Sequence, residues 1–155
     1  MKRLISSVIL VITVGVFVAC CGKQQDMPPE IKVDRSECAR CKMLISDGRF
    51  AAALKVEEKY VVFDDLGCML SYARDKKITP QITMWVRDYN TDSWISAEQA
   101  LFYLQNTPHT PMEYGYIAVK ESDSKPSSQG GDVTSIGALA KLRADFSERF
   151  TAQKQ

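Results

Sequence analysis

The sequence predicts an α+β fold built from small sheets and two or three helices. Three observations point to it. "FAAALKVEEKYVVFD", residues 50–64, reads as two apolar runs of strand length around a polar turn. "DLGCMLSYARDKK", residues 65–77, follows at once with Leu66, Met69, Leu70 and Ala73 at helical spacing and lysines in its last turn. The chain ends on "GALAKLRADFSERFTAQ", which places Leu139, Leu142, Phe146 and Phe150 on one side of a helix.

The remaining elements fill in between. "ITMWVRDY", residues 82–89, is a strand, and "NTD" after it is turn chemistry. "SWIS" is a short strand. Ser96 then serves as N-cap for a helix over "AEQALFYLQ", residues 97–105. "TPHTP" breaks that helix. "YGYIAVK", residues 114–120, is a strand, "ESDSKPSSQGGD" a polar loop and "VTSI" a last strand. Two weakly similar ββαβ halves result, about 34–92 and 93–152.

The N-terminus sets the compartment. Lys2 and Arg3 precede an apolar run, Leu4 to Ala19, that ends in a small residue before Cys20. A charged start, a short apolar core and a small-residue end form the pattern of a cleaved export signal. The run is short for a permanent span, which needs about 20 apolar residues. "FVAC" resembles a lipobox, which makes Cys20 the lipidated residue and residues 1–19 the signal. Residues 20–33 then form a lipid anchor and polar, proline-bearing linker, and residues 34–152 the folded domain. Removal of Lys2 and Arg3 leaves 18 basic and 19 acidic side chains. That balance gives no electrostatic reason to expect a nucleic-acid partner.

Sulfur is the chemistry that stands out. "CARCKM" sets Cys38, Cys41 and Met43 within six residues. The reading is a turn followed by a strand. In an extended "CKM", Cys41 and Met43 project from one face, so a thiolate and a thioether converge on one ion. Thioethers suit Cu(I), whereas a structural zinc site wants four strong ligands from Cys, His and carboxylate. With one histidine and no second CxxC, the ligand count for zinc falls short. A thioredoxin-type centre wants its CxxC at the start of a helix, and "CKMLIS" runs into β-like sequence. In an exported chain a Cys38–Cys41 disulfide is the plain alternative. Elsewhere, Cys68 reads as a buried small hydrophobe and Met69 and Met84 as core. Asp64 and Asp65 read as helix caps. His109 and Met112 sit in a proline-rich loop.

Taken in order, "CARCKMLISDGRFAA", "FDDLGCMLSYARD", "WVRDYNTDSWISAEQALFYL", "TPMEYGYIAVK" and "QGGDVTSIGAL" resemble the NosL family, the accessory lipoproteins of nitrous oxide reductase. The resemblance covers about residues 34–140. It implies two ββαβ units similar to those of the mercury-lyase family. It also implies a Cu(I) chaperone outside the cytoplasm, lipid-anchored to the cell membrane or outer membrane. Its partners would be nitrous oxide reductase and the machinery that assembles the copper–sulfide centre. A second copy of the chain is a candidate partner as well. Cys41 and Met43 match the family's CxM ligands, Met112 a later methionine and Cys38 a first cysteine found in some members. His109 is the only candidate here for a histidine ligand. Lys42 stands where family members often carry glycine. The implied role is a carrier and not an enzyme. The rivals are a thiol–disulfide protein using Cys38 and Cys41, a passive lipoprotein, and copper delivery to another cuproenzyme.

Overall fold

A computed structural model describes residues 27–78, 82–106, 110–123, 126 and 132–151. The expected export signal over residues 1–19, Cys20, Cys21 and His109 lie outside the described residues. Among the described residues the fold is α+β, with two small antiparallel sheets and two α-helices. Among the described residues, no helix is long and apolar enough to cross a membrane.

The hairpin forms where the sequence places it. Strands β1 (Ala52–Val56) and β2 (Lys59–Phe63) pair from Ala52–Phe63 to Val56–Lys59. Only Glu57 and Glu58 turn between them, and Glu57 takes a left-handed φ of 55°. Helix α1 (Leu66–Asp75) starts at Asp65, whose carboxylate accepts the Gly67 N–H at 2.6 Å. At its end Lys77 adopts a left-handed φ of 54°, and the Ile78 N–H returns to the Ala73 carbonyl at 2.8 Å. That closure is a Schellman motif with lysine in the position usually held by glycine.

Strand β3 (Met84–Arg87) pairs with β1, and β4 (Trp94–Ser96) pairs with β3. The first sheet therefore runs β2-β1-β3-β4. The order β1, β2, α1, β3 is a ββαβ unit. The Trp94–Ser96 strand, grouped by sequence with the second half, lies in this first sheet.

The expected helix over residues 97–105 does not form. A single 3-10 turn spans Ala97–Gln99, with the Ser96 hydroxyl accepting from the Glu98 N–H at 3.4 Å, and strand β5 (Ala100–Gln105) follows. β5 is the central strand of the second sheet, between β6 (Tyr116–Lys120) and β7 (Val133–Gly137). Its side chains have apolar partners on both faces. Phe102 enters the main core, and Tyr103 joins a smaller cluster with Phe50, Ile117 and Val119. A short run that is apolar on both faces suits a doubly covered strand, and pairing on both edges overrides a one-turn cap.

Helix α2 (Leu139–Thr151) presents the predicted stripe, with Leu142 and Phe146 buried and Leu139 and Phe150 half-buried against the core. The described elements of the second half thus run β5, β6, β7, α2. The sheets join where the Tyr89 N–H donates to the Ala118 carbonyl at 2.8 Å. One core, with Phe63, Met69, Val86, Phe102, Tyr116 and Phe146 in it, draws on both sheets and both helices.

Candidate metal centre

The CARC segment is a tight loop. The Lys42 N–H returns to the Cys38 carbonyl at 3.0 Å, and the Cys38 N–H to the Met43 carbonyl at 2.8 Å. The Ala39 N–H donates to the Val62 carbonyl at 3.0 Å, which pins the loop to the edge of β2. Arg40 pairs with Asp75 at the end of α1 at 3.0 Å.

Lys42 has a left-handed φ of 69°. The Cys41–Met43 stretch is therefore not extended, and the two-residue alternation expected there does not apply. The bridge between Glu37 and Leu44 is the only strand-like pairing of this segment among the described residues. Met43 stands 49% exposed, next to Leu44 at 53%.

The pinned loop faces the β2–α1 junction. Asp64 closes the strand and Cys68 sits in the first turn of the helix. The Sγ atoms of Cys38, Cys41 and Cys68 and a carboxylate oxygen of Asp64 all lie within 4.8 Å of one another. Cys38, Cys68 and Asp64 are buried, and Cys41 is half-buried. All three cysteines are free thiols. The Cys41 thiol donates to Asp64 Oδ2 at 3.3 Å. Asp64 Oδ1 is sealed from solvent with no hydrogen-bond partner.

The thiols are unequal. The Cys68 S–H donated to Cys38, helped by backbone N–H groups of Cys41 and Asp64 and opposed by burial and by the Asp64 carboxylate, lowers the Cys38 thiol to about 6. Burial is the main cause pushing Cys41 up to about 11. Cys68 is pushed far up, first by its hydrogen bond to Cys38 and then by burial. Of the three thiols, Cys38 is the one whose ionisation these contacts favour, and burial disfavours ionisation of Cys41 and Cys68.

The donor set fits a metal ion. Three thiols and a carboxylate converge at a spacing that one cation can span, and burying an unpaired carboxylate oxygen is costly without a partner. A Cys3Asp group here could hold a metal ion.

The neighbouring loop is tied to the same junction. Asp65 Oδ2 accepts the Met112 N–H at 3.4 Å, and the Gly115 N–H donates to Thr110 Oγ1 at 3.0 Å. Burial raises the Asp65 carboxyl to about 6, against the hydrogen bonds from Thr110, Gly67 and Met112. The Tyr114 ring lies directly on Gly67, where an added Cβ would stand 2.0 Å from the ring's Cγ. Met112 is half-buried against the core that holds Cys38 and Cys68, and it lines a cleft together with Arg40.

The fold therefore gathers Cys38 and Cys41, brings Met112 to the same side and leaves Met43 at the surface. Asp64 and Cys68 are the residues that sequence reasoning missed. The available signal was "DD" where one cap suffices. Asp65 is the cap, which frees Asp64, and Cys68 follows four residues after Asp64. Comparison of the chain with family models, with curated proteins and with solved structures finds no match.

Proposed function

We propose that the chain is a Cu(I)-binding lipoprotein carrier of the NosL kind, anchored through Cys20 outside the cytoplasm, that supplies copper for the copper–sulfide centre of nitrous oxide reductase. The proposal extends to the family's two-unit fold and to a carrier role without catalysis. The observation that carries it is the convergence of Cys38, Cys41 and Cys68 on one pocket, with Met43 exposed two residues on from Cys41. Thiolates and thioethers are the donors that Cu(I) prefers. The half-buried Cys41 gives a route for ligand exchange with a recipient. Met112 and His109 are the further ligand candidates, with Met112 on the side of the CARC loop.

A second reading is favoured by Asp64. Carboxylate is a zinc ligand, and a closed Cys3Asp set resembles a four-coordinate structural zinc site. A dication also offsets more of the negative charge that three thiolates and a carboxylate would gather in a buried pocket.

The experiment is a competition titration of the reduced full-length chain in detergent, against a chromophoric Cu(I) chelator and separately against a Zn(II) chelator. Tight Cu(I) binding lost in Cys41→Ser supports the carrier. Zn(II) binding with Cu(I) only weakly held supports the second reading and overturns the first.

A further inference from the structure

Cys41 belongs to two sets of donors. Behind it lie Cys38 and Cys68, both sealed from solvent, with their sulfurs within 4.8 Å of its own. Two residues on, past the left-handed Lys42, Met43 is half-exposed, and its backbone N–H meets the Cys41 sulfur. A single resting site does not account for a thioether in water and two thiols in the core.

We propose that Cys38 and Cys68 form an inner metal station behind Cys41, and that the cation enters and leaves through an outer station made by Cys41 and Met43. This rests on the carrier reading above. The independent sign of an inner occupant is Asp64, whose Oδ1 is buried beside these sulfurs with no partner.

The chemistry follows from the shared residue. Passage inward exchanges the Met43 thioether for the Cys38 and Cys68 thiolates while the Cys41–metal bond persists. The metal keeps its charge throughout. Each thiol that becomes a ligand loses one proton to solvent. The Cys41 proton already points at Asp64 Oδ2, which is its first acceptor. The outer station offers one thiolate and is open to solvent, so it exchanges quickly. The inner station offers thiolates only and is closed, so it holds. Met43 is then a ligand of passage, and Cys68 a ligand of retention.

The test loads the full-length reduced chain with one equivalent of Cu(I) and mixes it with excess chromophoric chelator in stopped flow, beside equilibrium competition. Met43→Leu is expected to leave affinity within about threefold while slowing both loading and release. Cys68→Ala is expected to lower affinity by about tenfold or more and to speed release. Cys68→Ser repeats that measurement with a different packing change, and both variants are read only with the wild-type melting transition retained. Met43→Leu lowering affinity as much as Cys68→Ala overturns the inner station, because Met43 would then be a resting ligand. Unchanged affinity and rates in both Cys68 variants overturn it as well. Wild type that binds no Cu(I) removes the carrier reading itself and the two stations with it.

Discussion

Asp64 accepts the Cys41 thiol with Oδ2 at 3.3 Å while its Oδ1, 23 residues away along the chain from Cys41 and buried, meets no partner. One half of the carboxylate is satisfied by the site's own thiol, and the other half is left for an ion.

Asp64→Asn separates the two candidate metals. The amide keeps the shape and removes the charge. Zn(II) affinity is expected to fall by about 10–100-fold, because a strong oxygen ligand is lost. Cu(I), held by sulfur, is expected to change by about threefold or less. Parallel competition titrations of the two metals measure the difference.

The apo protein should gain stability from pH 6 to 9 through Cys38. Its folded thiol ionises near 6, against an ordinary value of 9.0. Its contribution is therefore complete above the unfolded value and lost as pH falls through the folded one. In that window the unfolded thiol binds a proton that the folded one does not, so stability rises with pH, by at most about 1.4 kcal/mol per unit. Cys41 acts in the opposite sense, since its raised value of about 11 favours folding below 9 and loses that effect as pH rises through 11. Urea unfolding of reduced, metal-free protein across this range measures the slope. Cys38→Ala should flatten it.

Gly67→Ala should destabilise, although alanine is the better helix former by about 1 kcal/mol. The new methyl would sit 2.0 Å from Tyr114 Cγ. Moving that ring disturbs its hydrogen bond to Ser71 and its packing on Phe146 and Phe150. Overpacking of this kind costs about 1–3 kcal/mol. Denaturant unfolding gives the size, and a stabilised variant would show that the Tyr114 loop yields freely.

Lys42→Gly should stabilise the loop. Lysine at φ 69° pays the left-handed penalty of about 1–2 kcal/mol, and glycine returns about 0.5–1 kcal/mol of it as chain entropy. The lost ion pair to Glu37, at 3.6 Å between exposed groups, adds little. A rise in unfolding free energy with unchanged metal affinity is the expected result.

Much of the fold was legible in periodicity. The β1–β2 hairpin, the α1 stripe and the Leu142–Phe146 face of α2 each carry their own local signal. β5 was not legible, because Ala100–Gln105 is apolar on both faces and only its partners β6 and β7 decide between strand and helix. For the site, the Cys38–Cys41 pair was visible as sulfur density. Asp64 and Cys68 were not, since their approach to Cys41 depends on long-range contacts such as the Ala39–Val62 bond and the Arg40–Asp75 pair, which no local pattern encodes. The alternation assumed for Cys41 and Met43 failed at a single dihedral, that of Lys42.

The four donors do not share one foundation. Asp64 and Cys68 belong to a strand–helix joint that persists as long as the molecule itself does. Cys38 and Cys41 come from a separate loop, held by the Ala39–Val62 bond, the Arg40–Asp75 pair and the burial of Cys38 and Ile45. The pocket is thus assembled from two stretches of chain that are joined through the rest of the fold. A cut after exposed Lys42 would part Cys38 and Cys41 from the Asp64–Cys68 joint in the chain, and packing and hydrogen bonds alone would then hold the four donors together.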